Sequence, residues 1–565
     1  MCATLALLSY AMAGMNPGQV DVGESKPLLH ARHAAVTSDA ASASAAGVDA
    51  LRAGGNAADA ACATAAALGV VDPFASGLGG GGFALVRLAN GQTLALDFRE
   101  SAPALLRSGS KGGIVISRQS GRSVGVPGEP AGLAELVRRF GALPFSRCLE
   151  PALRLARGFT VSPALARQIR EELDRNPGSG PDLIAQLFGI DRARAARLAP
   201  GERVSRPALA RTLARLQREG AAAFYRGDLA KAMVAATTAA GGVLGLADLR
   251  AYATVERKPL VSEFLGHQVL TLPPPSAGGV MVAQALGILA SRATDLRHSG
   301  MGSADTLHLL AEALKHVFAD RARFLGDPGY VTMPLDHLLD PHYQRELAQG
   351  ISIDHVLAHD SYGTPAHAPT SPARDAGTAH ISVIDQDGNA VALTTTINLS
   401  FGARIVAGDT GILLNDELDD FTLVADGKDV FAIAGGEANF PAPGKRPLSS
   451  MSPTIVVGEQ GVELVTGAAG GPRIASATLQ VLVAVLVQGL AAGAAVVAPR
   501  IHHQWDPDIL FYEPGISAAT VHALERKGHV CAQAADLGKA NLIIRTPTGL
   551  DAAADPRAGG AAAGY

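Results

Sequence analysis

The sequence is short of cysteine, of net charge and of internal repetition, and each shortage closes off a class of protein. Its four cysteines (Cys2, Cys62, Cys148 and Cys531) stand far apart with no Cys-x-x-Cys pair, which argues against a zinc cluster or a dense disulfide framework. Lys and Arg number 48 against 52 Asp and Glu, for a net charge of −4. The basic surplus of a nucleic-acid binder is missing, and no nucleic-acid partner is expected. No unit of solenoid or propeller length recurs. Gly (64) and Pro (33) follow no period, so collagen-like and low-complexity classes are out. What is plentiful is apolar: 48% apolar against 18% charged residues over 565 positions. That feeds a large core and excludes wholesale disorder.

The chain starts MCATLALLSYAMAGMNPG, an apolar run ending in small residues around Ala11–Gly14 with no Lys or Arg before it. The run fits a secretory signal, and the missing basic residues do not. Periplasmic or secreted location is the favoured reading, with cytoplasmic as the alternative, and residues 1–34 are set aside as a leader or disordered start. A second apolar run, 481–498, carries Gln488 in its middle and is bracketed by Gln480 and Arg500. A buried helix is expected there and no transmembrane helix.

Residues 35–72 read as an Ala-rich helical region broken at Gly54–Gly55–Asn56. A glycine run at 76–82 then leads into an apolar strand, and helical patterns alternate with loops over 130–255. Residues 360–377, with Pro365, Pro369 and Pro372, form the best linker in the sequence. Two alternating strands follow it around Asp387–Gly388, a strong hairpin signal.

Gly77, Gly79 and Gly82 satisfy Gly-x-Gly-x-x-Gly literally, but the run precedes a strand where a dinucleotide loop would follow one and open a helix. Close backbone packing is the better account. His502–His503 near Asp506 would point to opposite faces of a strand, which favours structural roles over a shared metal. Thr378 is more informative. A threonine hydroxyl needs a base beside it, and a free α-amino group on the same residue supplies one. That requires a cut between Gly377 and Thr378; composition alone fits a plain linker meeting a strand at least as well.

Longer blocks carry a resemblance. GGNAADAACATAAALGVVDPFASGLGGGGF, DFRE (97–100), LPPPSAGG, ADRARFLGDP, TAHISVIDQDGNAVALTTTIN, GILLNDELDDF (411–421), KRPLSSMSPTIV (445–456), VTGAAGGPRI (465–474), APRIHHQW (498–505) and the terminal AGY resemble the γ-glutamyltranspeptidase family of N-terminal-nucleophile hydrolases. The resemblance implies an α/β fold with four αββα layers, two stacked antiparallel sheets flanked by helices. It implies a precursor that cuts itself into a large subunit (35–377) and a small catalytic one (378–565), which together form one domain and a heterodimer. It implies transfer of a γ-glutamyl group from glutathione or related γ-glutamyl compounds to amino-acid or dipeptide acceptors or water, with no organic cofactor and no metal.

By the same resemblance Thr378 is the nucleophile and Thr396 its hydrogen-bonding partner. Gly470 and Gly471 form the oxyanion hole; Arg99, Ser449 and Ser450 hold the substrate α-carboxylate; Asn398, Glu417 and Asp420 hold its ammonium. Phe431 falls in the segment 422–440 aligned with the family's lid, where many bacterial members carry tyrosine. An odd-length hairpin loop would place Thr378, Thr396 and Asn398 on one sheet face, and a two-residue loop would not. Cephalosporin-type acylases share the fold but take glutaryl groups that lack an ammonium. Asp420 therefore favours glutamyl over glutaryl substrates. A non-catalytic amino-acid-binding relative is the rival from another class, and the oxyanion glycines weigh against it.

Overall fold

The hairpin after the Pro-rich stretch becomes the centre of the molecule. In the computed structural model, which describes residues 28–106, 120–176, 183–363, 377–422 and 429–565, strand Gly377–Ile384 pairs antiparallel with Ala390–Asn398 and both are buried along their whole length. A seven-stranded sheet grows around them, in the order Ala561–Gly564, Ala35–Ser38, Gly377–Ile384, Ala390–Asn398, Gly81–Arg87, Thr93–Phe98 and Val255–Arg257. A second seven-stranded sheet runs Leu28–Ala31, Gly549–Ala553, Lys539–Thr546, Gly461–Ala469, Thr454–Gly458, His267–Thr271 and Leu260–Phe264. Every strand pairing within the two sheets is antiparallel.

Alternation decides what each face meets. Ala379, Ile381, Val383, Val391 and Leu393 join the core formed with helices Ala41–Arg52 and Ala57–Val71. The opposite face carries Thr378, His380 and Ser382 toward the second sheet, whose strands share a core with helices Ala277–Ala290, Ala304–Phe324 and Arg473–Leu486. The result is helix, sheet, sheet, helix: the α/β four-layer arrangement implied by the resemblance. Each sheet draws strands from both sides of Thr378, so the two parts of the chain interleave.

Local sequence explains several details. Helix Ala57–Val71 is buried at every position, and Asn56 and Asp59 close its N-terminus as a reciprocal capping pair. The glycine run lies where backbone meets backbone: a Cβ on Gly80 would collide with the Thr396 carbonyl, and one on Gly82 with that of Thr394. The run packs the neighbouring strand against the hairpin and has no phosphate-loop geometry.

Two expectations change. The sheets take in Leu28–Ala31, ahead of residue 35. The run 481–498 is not one helix: Arg473–Leu486 ends, Gly489 turns at φ +67°, and Ala492–Val497 follows. Gln488 in the break donates to the Leu296 carbonyl, a polar tie that the apolar run concealed. None of the described helices is long and apolar enough to cross a membrane. The apolar start of the chain and residues 364–376 of the linker lie outside the described residues.

Candidate active site

Register places the two threonines. Ile384 pairs with Ala390, and the Asp385 amide donates to the Asn389 carbonyl at 3.0 Å. This leaves the odd loop Gln386–Gly388, with Gly388 at φ +87°. Thr378 then stands opposite Thr396, with 3.0 Å between their hydroxyl oxygens. A bulge between Gly377 and Thr378 brings Asn398, at φ +75°, opposite Gly377. The Thr396 hydroxyl donates to the Gly377 carbonyl, and its oxygen accepts the Asn398 amide at 2.9 Å. Because the Thr396 proton is committed to Gly377, Thr378 is the donor between the two hydroxyls.

The second sheet supplies the facing turn. Strand Gly461–Ala469 runs into Gly470 (φ +131°) and Gly471 (φ +61°), after which helix Arg473–Leu486 begins. Two successive amides at a strand end and helix start form a concavity suited to an oxyanion. The Phe431 ring covers it: a Cβ on Gly471 would lie 2.9 Å from a ring carbon.

A half-open pocket joins these parts, lined by Thr378, Thr396, Asn398, Gly471 and Phe431 together with Arg99, Glu417, Asp420, Ser449 and Ser450. Arg99 follows the strand Thr93–Phe98, and its Nε donates to the Pro447 carbonyl at 3.1 Å. Its two terminal nitrogens pair with Glu417 and, at 2.5 Å, with Asp420. The groups expected at opposite ends of a bound amino acid thus face each other. Burial opposes the Arg99 charge, but Glu417 and Asp420 outweigh it and hold the guanidinium above its usual value. Burial raises Glu417 to about 8, with Arg99 working the other way and Asp420 adding to the rise. Asp420 is also raised by burial, against the pull of Arg99. The serine pair is held by the Pro-rich turn, where the Ser449 amide donates to the Pro275 carbonyl at 2.8 Å and Ser276 bridges to Met451.

Sequence reasoning missed six lining residues: Arg321, Asp429, Ile433, Leu448, Met451 and Ile474. Arg321 lay within a quoted block, ADRARFLGDP, but reads there as a basic residue at a helix end. Elsewhere His502 meets Ser476 and Gln504 while His503 meets Asp508, so the adjacent histidines serve different partners. His308, Glu312 and His529 cluster in the core, but His308 and His529 bond each other at 2.8 Å and Glu312 pairs with Lys315 at 3.0 Å. The lysine supplies the positive charge there.

A threonine at the head of a central strand, inside two stacked antiparallel sheets and facing a glycine turn, is the architecture of the N-terminal-nucleophile hydrolases. Within that class the chain belongs to the γ-glutamyltranspeptidase family, whose profile matches residues 43–565. It is similar to the glutathione hydrolase proenzyme of Escherichia coli (strain K12), 39% identical over 574 residues covering 98% of this chain and 97% of that one. Among solved structures, cephalosporin acylase from Bacillus halodurans superposes with a TM-score of 0.82 at 27% identity, covering 98% of this chain and 99% of that one. A γ-glutamyltranspeptidase from Pseudomonas nitroreducens complexed with L-DON gives 0.52 at 34% identity, covering 57% of this chain and 95% of that one. The protein is an enzyme of γ-glutamyl transfer and hydrolysis.

Proposed function

We propose that the chain is made as a proenzyme, cuts itself between Gly377 and Thr378, and then moves γ-glutamyl groups from glutathione or other γ-glutamyl amides to amino acids, short peptides or water. The observation that carries this is the hydrogen-bond chain Thr378 to Thr396 to the Gly377 carbonyl, which joins the nucleophile to the bond it must break. In maturation the Thr378 oxygen attacks that carbonyl, the peptide bond becomes an ester, and water releases Gly377 as a carboxylate. The freed Thr378 amine, with an unperturbed pKa of about 7.7–8.0, then serves as base for its own hydroxyl.

In turnover the same oxygen attacks the γ-carbonyl, the Gly470 and Gly471 amides take the oxyanion, and the amine passes its proton to the leaving nitrogen. Water or an acceptor amine then attacks the γ-glutamyl ester and regenerates Thr378. A zwitterionic head group fits a pocket already carrying both signs. Its carboxylate goes to Arg99, Ser449 and Ser450, and its ammonium to Asp420, Glu417 and Asn398, each substrate charge replacing one side of the Arg99 cluster. The likeness to a cephalosporin acylase favours glutaryl transfer as the second reading; two acids beside Arg99 speak against it, since a glutaryl group brings no cation. Export to the periplasm or the exterior belongs to the proposal and is supported by the apolar run at Leu5–Met12. Intact mass of the purified protein, with assay on a γ-glutamyl anilide with and without a dipeptide, tests the whole. A single uncut chain without anilide turnover would overturn it.

A further inference from the structure

The pocket holds a second ion pair that the reaction above does not use. Arg321 comes from the last turn of helix Ala304–Phe324, and Asp429 opens the segment 429–434 that carries Phe431. Both side chains are 2% exposed. Arg321 reaches the segment at two points, Nη2 to an Asp429 carboxylate oxygen and Nη1 to the Ala434 carbonyl, each at 3.4 Å. The other oxygen of Asp429 accepts the amides of Phe431 at 2.9 Å and Ile433 at 3.0 Å. One carboxylate therefore folds the segment onto itself with one oxygen and ties it to a helix with the other. From the opposite side Gln504 donates to the carbonyls of Phe431 and Ala432 at 3.4 and 3.3 Å. What this fixes is the Phe431 ring on Gly471. Phenylalanine has no hydroxyl with which to anchor itself across the pocket, so the anchoring rests on its neighbours.

We propose that Arg321 and Asp429 are positioning residues that set how the acyl intermediate is divided between acceptor and water; this rests on the reading of Thr378 as the acylated nucleophile. The ring they hold covers the glycine turn and keeps bulk water off the ester. Loosening the pair frees the segment, water gains access, and hydrolysis takes a larger share. The charges facing Asp429 are Arg321 and Asp420. Arg321 also faces Asp420, so removing the arginine would act on donor binding as well. Asp429→Asn leaves Arg321 in place and keeps an oxygen for the two amides, which makes it the cleaner change.

The test is the ratio of dipeptide transfer to hydrolysis from a γ-glutamyl anilide, together with the donor KM, for wild type and Asp429→Asn, each checked for maturation by intact mass. Transfer relative to hydrolysis should fall roughly threefold to tenfold, the scale of one ordinary hydrogen bond, with donor KM changed less than about twofold. A structural defect alone would lower both routes together. An unchanged ratio, or equal loss on both routes, overturns the proposal while leaving the nucleophile reading intact; a wild type without anilide turnover overturns both. Should Asp429→Asn fail to mature, Arg321→Lys, which keeps the cation and loses one of its two arms, carries the same test by the same ratio.

Discussion

The two walls of the pocket are built in opposite ways. One holds Thr378 and Thr396, uncharged groups on paired strands, each placed by register and backbone hydrogen bonds. The other holds Arg99, Glu417, Asp420, Arg321 and Asp429, charged groups after a strand end, at a helix end, in the irregular segment 429–434 and on the short helical turn Glu417–Asp420. Bond making tolerates little displacement, which a central strand buried on both faces supplies. Recognising a zwitterion needs buried charge, and buried charges must neutralise each other until the substrate arrives. The first wall is therefore rigid and neutral; in the second, on the proposed reading, the Arg99 pairs exchange partners with the substrate while the Arg321–Asp429 pair stays closed.

Breaking the neutral wall should have the largest effect. Thr378→Ala removes the hydroxyl proposed to attack the Gly377 carbonyl, so intact mass should give one uncut chain and the anilide assay no turnover. A cleaved Thr378→Ala protein would mean that maturation does not use this hydroxyl. Next comes the charged wall. Asp420→Asn leaves the substrate ammonium short of a partner and should cost on the order of 2–5 kcal/mol, roughly thirtyfold to several thousandfold in kcat/KM for a γ-glutamyl anilide. A glutaryl anilide should lose little. Equal losses on the two would make Asp420 a structural acid. Thr396→Val returns to the first wall with a smaller effect: it keeps the shape and deletes the bond to the Gly377 carbonyl, so maturation followed by mass should slow roughly tenfold to a hundredfold. Normal maturation would show that the Thr396 bridge is dispensable.

The same contrast explains what could be read in advance. Strand register obeys parity, so Asp387–Gly388 and the need for Thr378 beside Thr396 were enough to demand the odd loop that is found, Gln386–Gly388. Ion pairs obey no such rule. Arg321 and Asp429 are 108 positions apart; one looks like a helix-end cation and the other sits in a segment without periodicity. Arg99, Glu417 and Asp420 were named by resemblance alone, and nothing in their spacing announces that Arg99 pairs with both acids. The strand Leu28–Ala31 was hidden for another reason: four residues at a sheet edge give too little alternation to stand out from a leader.

The smallest expected effect probes the charged wall by pH. Burial raises Glu417 to about 8, despite Arg99, so as pH falls through that value the group takes up a proton and loses its negative charge. The substrate ammonium, still charged, then meets one counter-charge fewer, and binding weakens toward acid. The Thr378 amine also protonates on that side, but it acts on the chemical step; a non-hydrolysable γ-glutamyl analogue keeps that step out of the measurement. Its dissociation constant should rise about threefold to fivefold between about pH 8.5 and about pH 6.5 in the wild type. In Glu417→Gln, neutral at every pH, it should start weaker and stay nearly level across that window, with Asp420 as the remaining acid. The same slope in both proteins would place the titrating group elsewhere in the Arg99 cluster, with Asp420 first in line because burial raises it too.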